Sequence, residues 1–198
     1  MRCWRRLGVL GALALLVPAA GGITFAAFTA TNANSGDLIG SGSVKLSDNG
    51  DGSSLMSLSA AVPGNTASAC IKVSYDGSLA ATVRLHGTTT GSGLDQYLDV
   101  KVTRGVYSPS DPAFKSCTNF QADGTNYIGA GNGVIYNGTL QAFPDDYASG
   151  LVDPLGGSPA SWTNGEPHVY KIDVTLQSNF SAQNKDATQT FRWEARNQ

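Results

Sequence analysis

A two-residue alternation of apolar and polar side chains, returning several times along the chain, most narrows what this sequence can fold into. Over His168 to Gln177, Tyr170, Ile172, Val174 and Leu176 fall on one side, and Lys171, Asp173 and Thr175 on the other. Successive side chains of a strand point to opposite faces, so this reads as a strand with one buried face. Ala187 to Arg196 repeats it, with Phe191, Trp193 and Ala195 opposed to Thr190, Arg192, Glu194 and Arg196. Leu79 to His86 sets Leu79, Ala81, Val83 and Leu85 against Thr82, Arg84 and His86. Tyr97 to Thr103 places Leu98, Val100 and Val102 inside, and Ala69 to Tyr75 does the same with Ile71, Val73 and Tyr75. Weaker candidates span Leu38 to Ser47, Leu55 to Ala61 and Val134 to Leu140.

Turn chemistry separates these runs. Asn49-Gly50-Asp51-Gly52 carries two hairpin dipeptides, and Pro63-Gly64-Asn65 and Asp76-Gly77-Ser78 are turn sequences. The expected fold is therefore all-β: an antiparallel, jelly-roll-like sandwich of about eight strands, with loop excursions and at most short helical turns. Residues 107–133 are the least regular stretch and form the main excursion. Pro144 to Gly150 is expected to supply one helical turn, with Pro144 at its first position. A chain of 198 residues suits one domain, and nothing in the mature part reads as a linker.

The N-terminus has a different grammar. Arg2, Arg5 and Arg6 precede an almost wholly apolar run from Leu7 to Ala20, followed by Gly21, Gly22 and Ala26. That is the order of a secretory signal peptide. The apolar run is about 14 residues and a membrane span needs about 20; an uncleaved anchor would have to count Gly21 to Phe28 as well. Gly8, after the Arg5-Arg6 pair, sits where a twin-arginine signal prefers an apolar residue. Contact with a membrane is thus expected only through the leader, before cleavage. Without the leader, ten basic residues face fifteen acidic ones, a net charge of about −5. This is a poor match to nucleic acid, which selects a basic face.

Cys3 lies in the leader, which leaves Cys70 and Cys117, an even pair in an exported chain. A disulfide between them is expected, with two separate buried thiols as the alternative. Neither has a second Cys or His at metal-ligand spacing. His86 and His168 lie on different expected strands, without a His-Glu-x-x-His motif; two strand-surface histidines are the plain reading, and a meeting in space the alternative. Gly156-Gly157-Ser158-Pro159-Ala160 lacks the last glycine of a nucleophile elbow, and Gly129 to Gly133 lacks a phosphate-loop lysine. No catalytic residue and no cofactor is expected. Asp48 to Gly52 fails the calcium-loop spacing, because Leu58 stands where a bidentate Glu is needed. Asp145, Asp146 and Asp153 are the residues from which a weak calcium site would have to be built. Tyr107, Tyr127, Tyr136, Tyr147 and Trp162 are candidates for a sugar-binding face, against a plain core or rim role.

Several segments together resemble the TasA/camelysin (CalY) family of exported bacterial surface and biofilm-matrix proteins. They are Gly21-Gly22-Ile23-Thr24-Phe25-Ala26-Ala27-Phe28, Gly42-Ser43-Val44-Lys45-Leu46-Ser47, Pro63-Gly64-Asn65, Asp76-Gly77-Ser78-Leu79-Ala80, and the closing strands around Val174 and Phe191. The resemblance implies a jelly-roll sandwich, a signal peptide over 1–26, and cleavage between Ala26 and Ala27 by a specialised signal peptidase. It implies one domain over 27–198 that assembles with itself into extracellular matrix or surface fibres. The exposed segment 27–36 would donate Ala27, Phe28, Thr29, Ala30, Thr31, Asn32, Ala33 and Asn34 as a strand to the next subunit. A camelysin-like metalloendopeptidase and a carbohydrate- or surface-binding module are the alternatives.

Overall fold

A computed structural model describes residues 29–32, 43–50, 52–58, 61–155, 158–159 and 161–197. Thirteen strands lie within them: β1 Thr29–Asn32, β2 Leu46–Asp48, β3 Thr66–Tyr75, β4 Ala81–Gly91, β5 Leu98–Tyr107, β6 Phe120–Ala122, β7 Val134–Thr139, β8 Leu151–Val152, β9 Pro154–Leu155, β10 Ser158–Pro159, β11 Ser161–Trp162, β12 Glu166–Leu176 and β13 Ala187–Asn197. They build two antiparallel sheets packed as a sandwich. One sheet runs β1-β13-β4-β11, with β8 also on β4; the other runs β2-β3-β12-β5-β6, with β7 also on β5. β9 and β10 form a separate two-stranded ribbon.

The long strands are those with the strongest alternation, and the inward sets are buried as expected. Ile71, Val73 and Tyr75 of β3, Val100 and Val102 of β5, and Tyr170 and Ile172 of β12 meet Val83, Leu85, Trp193 and Ala195 of the opposing sheet. Each large side chain buried this way contributes on the order of 1.5–3 kcal/mol. The strand expected over 134–140 forms as β7. In the stretch expected over 38–47, only β2 is described, and 38–42 lie outside the described residues.

Several expectations are corrected. Residues 55–58 form no strand; they cross the sandwich as irregular backbone whose apolar side chains pack onto the core. Asn49-Gly50 therefore does not close a hairpin into a following strand. Asp76-Gly77-Ser78 does turn the chain, but it carries it from one sheet to the other, since β3 and β4 lie in different sheets. Leu79 is consequently 39% exposed instead of inward. The helical turn expected over 144–150 is replaced by a non-helical turn closed by Gly150 N–H to the Tyr147 carbonyl, while a short 3-10 turn occurs earlier, at Leu140–Ala142. Pro63-Gly64 is a turn as expected: Asn65 N–H donates to the Val62 carbonyl, and Gly64 takes the left-handed φ of 85° that only glycine adopts freely.

The outward faces are also less exposed than alternation implies. The loop over 143–150 folds across the outer side of β4 and β13. Gly87 N–H donates to the Pro144 carbonyl, and Tyr147 O–H to the Thr82 carbonyl. Thr82, His86 and Glu194, placed on the solvent side by the sequence, are buried beneath it.

Candidate functional site

The expected donor segment is described only over Thr29–Asn32. There it forms β1, antiparallel on the outer edge of β13, with Thr29 opposite Arg196 and Asn32 opposite Trp193. The cleavage pair Ala26 and Ala27, together with Phe28, Ala33 and Asn34, lies outside the described residues. β1 covers only the last part of β13. Among the described residues no strand pairs with the outer edge of Ala187 to Arg192. A sheet edge offers unpaired N–H and C=O groups, and β1 occupies part of that edge from within the same chain.

Cys70 and Cys117 are joined, with Cα atoms 5.1 Å apart. Cys70 is fully buried on the outer side of β3, because the 107–133 excursion folds over it; Cys70 N–H donates to the Lys115 carbonyl. The bridge fastens an irregular segment to a regular strand.

The two histidines stand in different environments. His86 is on the outer side of β4, its Nε2 3.1 Å from Glu194, and Glu194 in turn accepts from Arg196 Nε at 2.8 Å. The Arg196 guanidinium lies 3.9 Å from the centre of the Tyr147 ring, so the loop caps this charge pair with an aromatic face. His168 points between the sheets from the start of β12 and is 4% exposed, a correction to its expected surface position. Its Nε2 lies 2.9 Å from Glu166, and its Nδ1 faces Asp153, which also pairs with Arg104. Arg104 Nε donates to the same Nδ1 at 3.3 Å, and Arg104 Nη2 lies 3.1 Å from it. Arg104 further pairs with Asp123, whose Oδ2 accepts from Tyr127 O–H at 2.8 Å. Burial alone would lower the Arg104 pKa, but Asp153 and Asp123 outweigh it and raise it above the ordinary value, so the guanidinium stays charged.

Asp145, Asp146 and Asp153 do not converge. Asp153 is spent on Arg104 and His168, while Asp146 accepts from the backbone and hydroxyl of Ser149, which holds its carboxyl below its ordinary value. Among the described residues no group of three or more His, Cys, Asp or Glu side chains is arranged to hold a metal ion. The five candidate aromatics share no face either. Trp162 is fully buried against His168, Tyr127 belongs to the Arg104 cluster, Tyr136 packs edge-on against Phe143, Tyr147 lies under Arg196, and Tyr107 O–H donates to the Ser116 carbonyl.

The ionic cluster escaped the sequence reading because its members are scattered from Arg104 to His168 and carry no spacing rule. No helix among the described residues is long and apolar enough to cross a membrane. No protein-family model matches the chain, and no curated protein matches it.

Proposed function

We propose that this is an exported structural protein that assembles with copies of itself into extracellular matrix or surface fibres by exchanging its N-terminal strand. The observation that carries the reading is the pairing of Thr29–Asn32 with the outer edge of β13. A strand near the N-terminus that adds to an edge in its own chain makes the same hydrogen bonds when it adds to that edge in a neighbour. Exchange then costs few contacts and links one subunit to the next. Because the donor and the acceptor edge are different surfaces, the contact is heterologous, and repeated without closure it grows a filament. The leader and the motifs that resemble those of the TasA/camelysin family support the same reading. The disulfide agrees with an oxidising compartment outside the cytoplasm.

The test is negative-stain electron microscopy of protein beginning at Ala27 beside protein beginning at Gly36. The first is expected to form filaments and the second to remain monomeric. If both remain monomeric across pH, salt and calcium, the fibre reading is wrong.

A further inference from the structure

The two ends of the sandwich interior are filled differently. At the Trp162 end the space between the sheets holds the Arg104, Asp153 and His168 cluster. At the other end lies a cavity of about 540 Å³, partly open to solvent. A space of this size lies within the ordinary range for small-molecule sites, about 300–1,000 Å³.

We propose that this cavity binds a neutral, elongated apolar molecule, of the class of long-chain alcohols and monoacylglycerols. Its walls come from both sheets: Ile71, Val174 and Leu176 from one, Phe191 and Trp193 from the other. Leu55, Met56 and Leu58 close it from the crossing segment. Among the described residues, none that lines it is ionisable. A carboxylate, phosphate or ammonium would therefore find no counter-charge among them. The polar groups on the lining are hydroxyls and one amide, from Ser53, Ser54, Ser57, Thr188, Thr190 and Gln189. They suit an uncharged hydroxyl or ester head at the end of a hydrocarbon body. Residues 53–58 pair with neither sheet, so the side chains of this segment, including the adaptable Met56, can part around a ligand without breaking a strand ladder.

The test uses the purified protein with its natural N-terminus and the neutral fluorescent probe N-phenyl-1-naphthylamine. Saturable binding is expected at one probe per chain, with displacement by 1-dodecanol or monodecanoylglycerol and at least tenfold weaker displacement by ionised decanoate. Ala61→Trp fills the cavity from the crossing segment and should weaken probe binding at least tenfold; Ala187→Phe does the same from β13 and serves if the first variant does not fold. Val62→Trp, at a neighbouring residue that does not line the cavity, should bind as the parent does. Absence of saturable binding, equal displacement by decanoate, or a folded filling variant that binds like Val62→Trp overturns the proposal. These readouts do not depend on filament formation, so the site and the fibre reading fail separately.

Discussion

The imidazole of His168 lies flat on the indole of Trp162, with ring centroids 3.9 Å apart and planes 18° from parallel. The stack fixes the ring so that one nitrogen meets Asp153 and the other Glu166. Asp153 is 2% exposed and has no water to fall back on if that pairing is lost. His168→Ala should cost about 3–5 kcal/mol, because it removes a buried ring stacked on Trp162 and leaves Asp153 only Arg104 as a partner. Urea unfolding checks this. The half-exposed pair of Lys72 and Asp111 supplies the comparison, since Lys72→Ala should cost under about 1 kcal/mol.

The same cluster sets an acid limit. Burial alone would raise the Glu166 carboxyl, but hydrogen bonds from His168 and from the backbone and hydroxyl of Thr163 outweigh it and hold it below its ordinary value. A depressed carboxyl stabilises the fold at pH above its unfolded value, and that stability is lost as pH falls through the folded value. Glu166→Gln should accordingly be less stable than the parent near neutrality and lose less stability on acidification from about pH 5 to 3. Parallel curves for the two proteins across that interval would rule out this role for Glu166.

How far the fold was legible follows from what a local pattern can encode. The inward sets of β3, β5, β12 and β13 could be read because burial of one face imposes a period on neighbouring residues. Glu194 and His86 could not be placed, because they are covered by residues 143–150, and no alternation reports which side of a sheet a distant loop will cross. Asp76-Gly77-Ser78 specified a reversal of direction but not whether the chain returns in the same sheet. The site was only partly legible for the same reason. Cys70 and Cys117 were expected as a pair on chemistry alone, whereas Asp153 and Arg104 gain their roles only when two strands and a loop meet.

Reduction should destabilise the protein substantially. The bridge closes a loop spanning 47 residues, which in the chain-entropy account is worth about 4 kcal/mol. Cys70→Ser/Cys117→Ser should lower the urea midpoint accordingly, and dithiothreitol should shift the parent to the same midpoint. A reduced parent that unfolds where the oxidised one does would contradict this.

Gly105 is required by the approach of β6 to β5. A Cβ there would overlap the Gln121 carbonyl oxygen and lie 2.8 Å from the Phe120 ring, so Gly105→Ala should cost about 1–3 kcal/mol. Gly124, where a Cβ would meet nothing within 4 Å, should accept alanine with little change. Thermal midpoints of the two variants decide the point, and equal midpoints would refute it.

β12 lies between β3 and β5 in one sheet, and β13 between β1 and β4 in the other. Both sheets therefore receive an interior strand from residues 166–197, far along the chain from the strands these join. Until residues beyond Glu166 are available, β3 and β5 have no common partner and β4 lacks its longest one. Assembly of the sandwich is governed by contacts distant in sequence, and such topologies fold slowly. Neither sheet is complete until β12 and β13 join strands far earlier in the chain, so timing is written into the strand order as firmly as shape is.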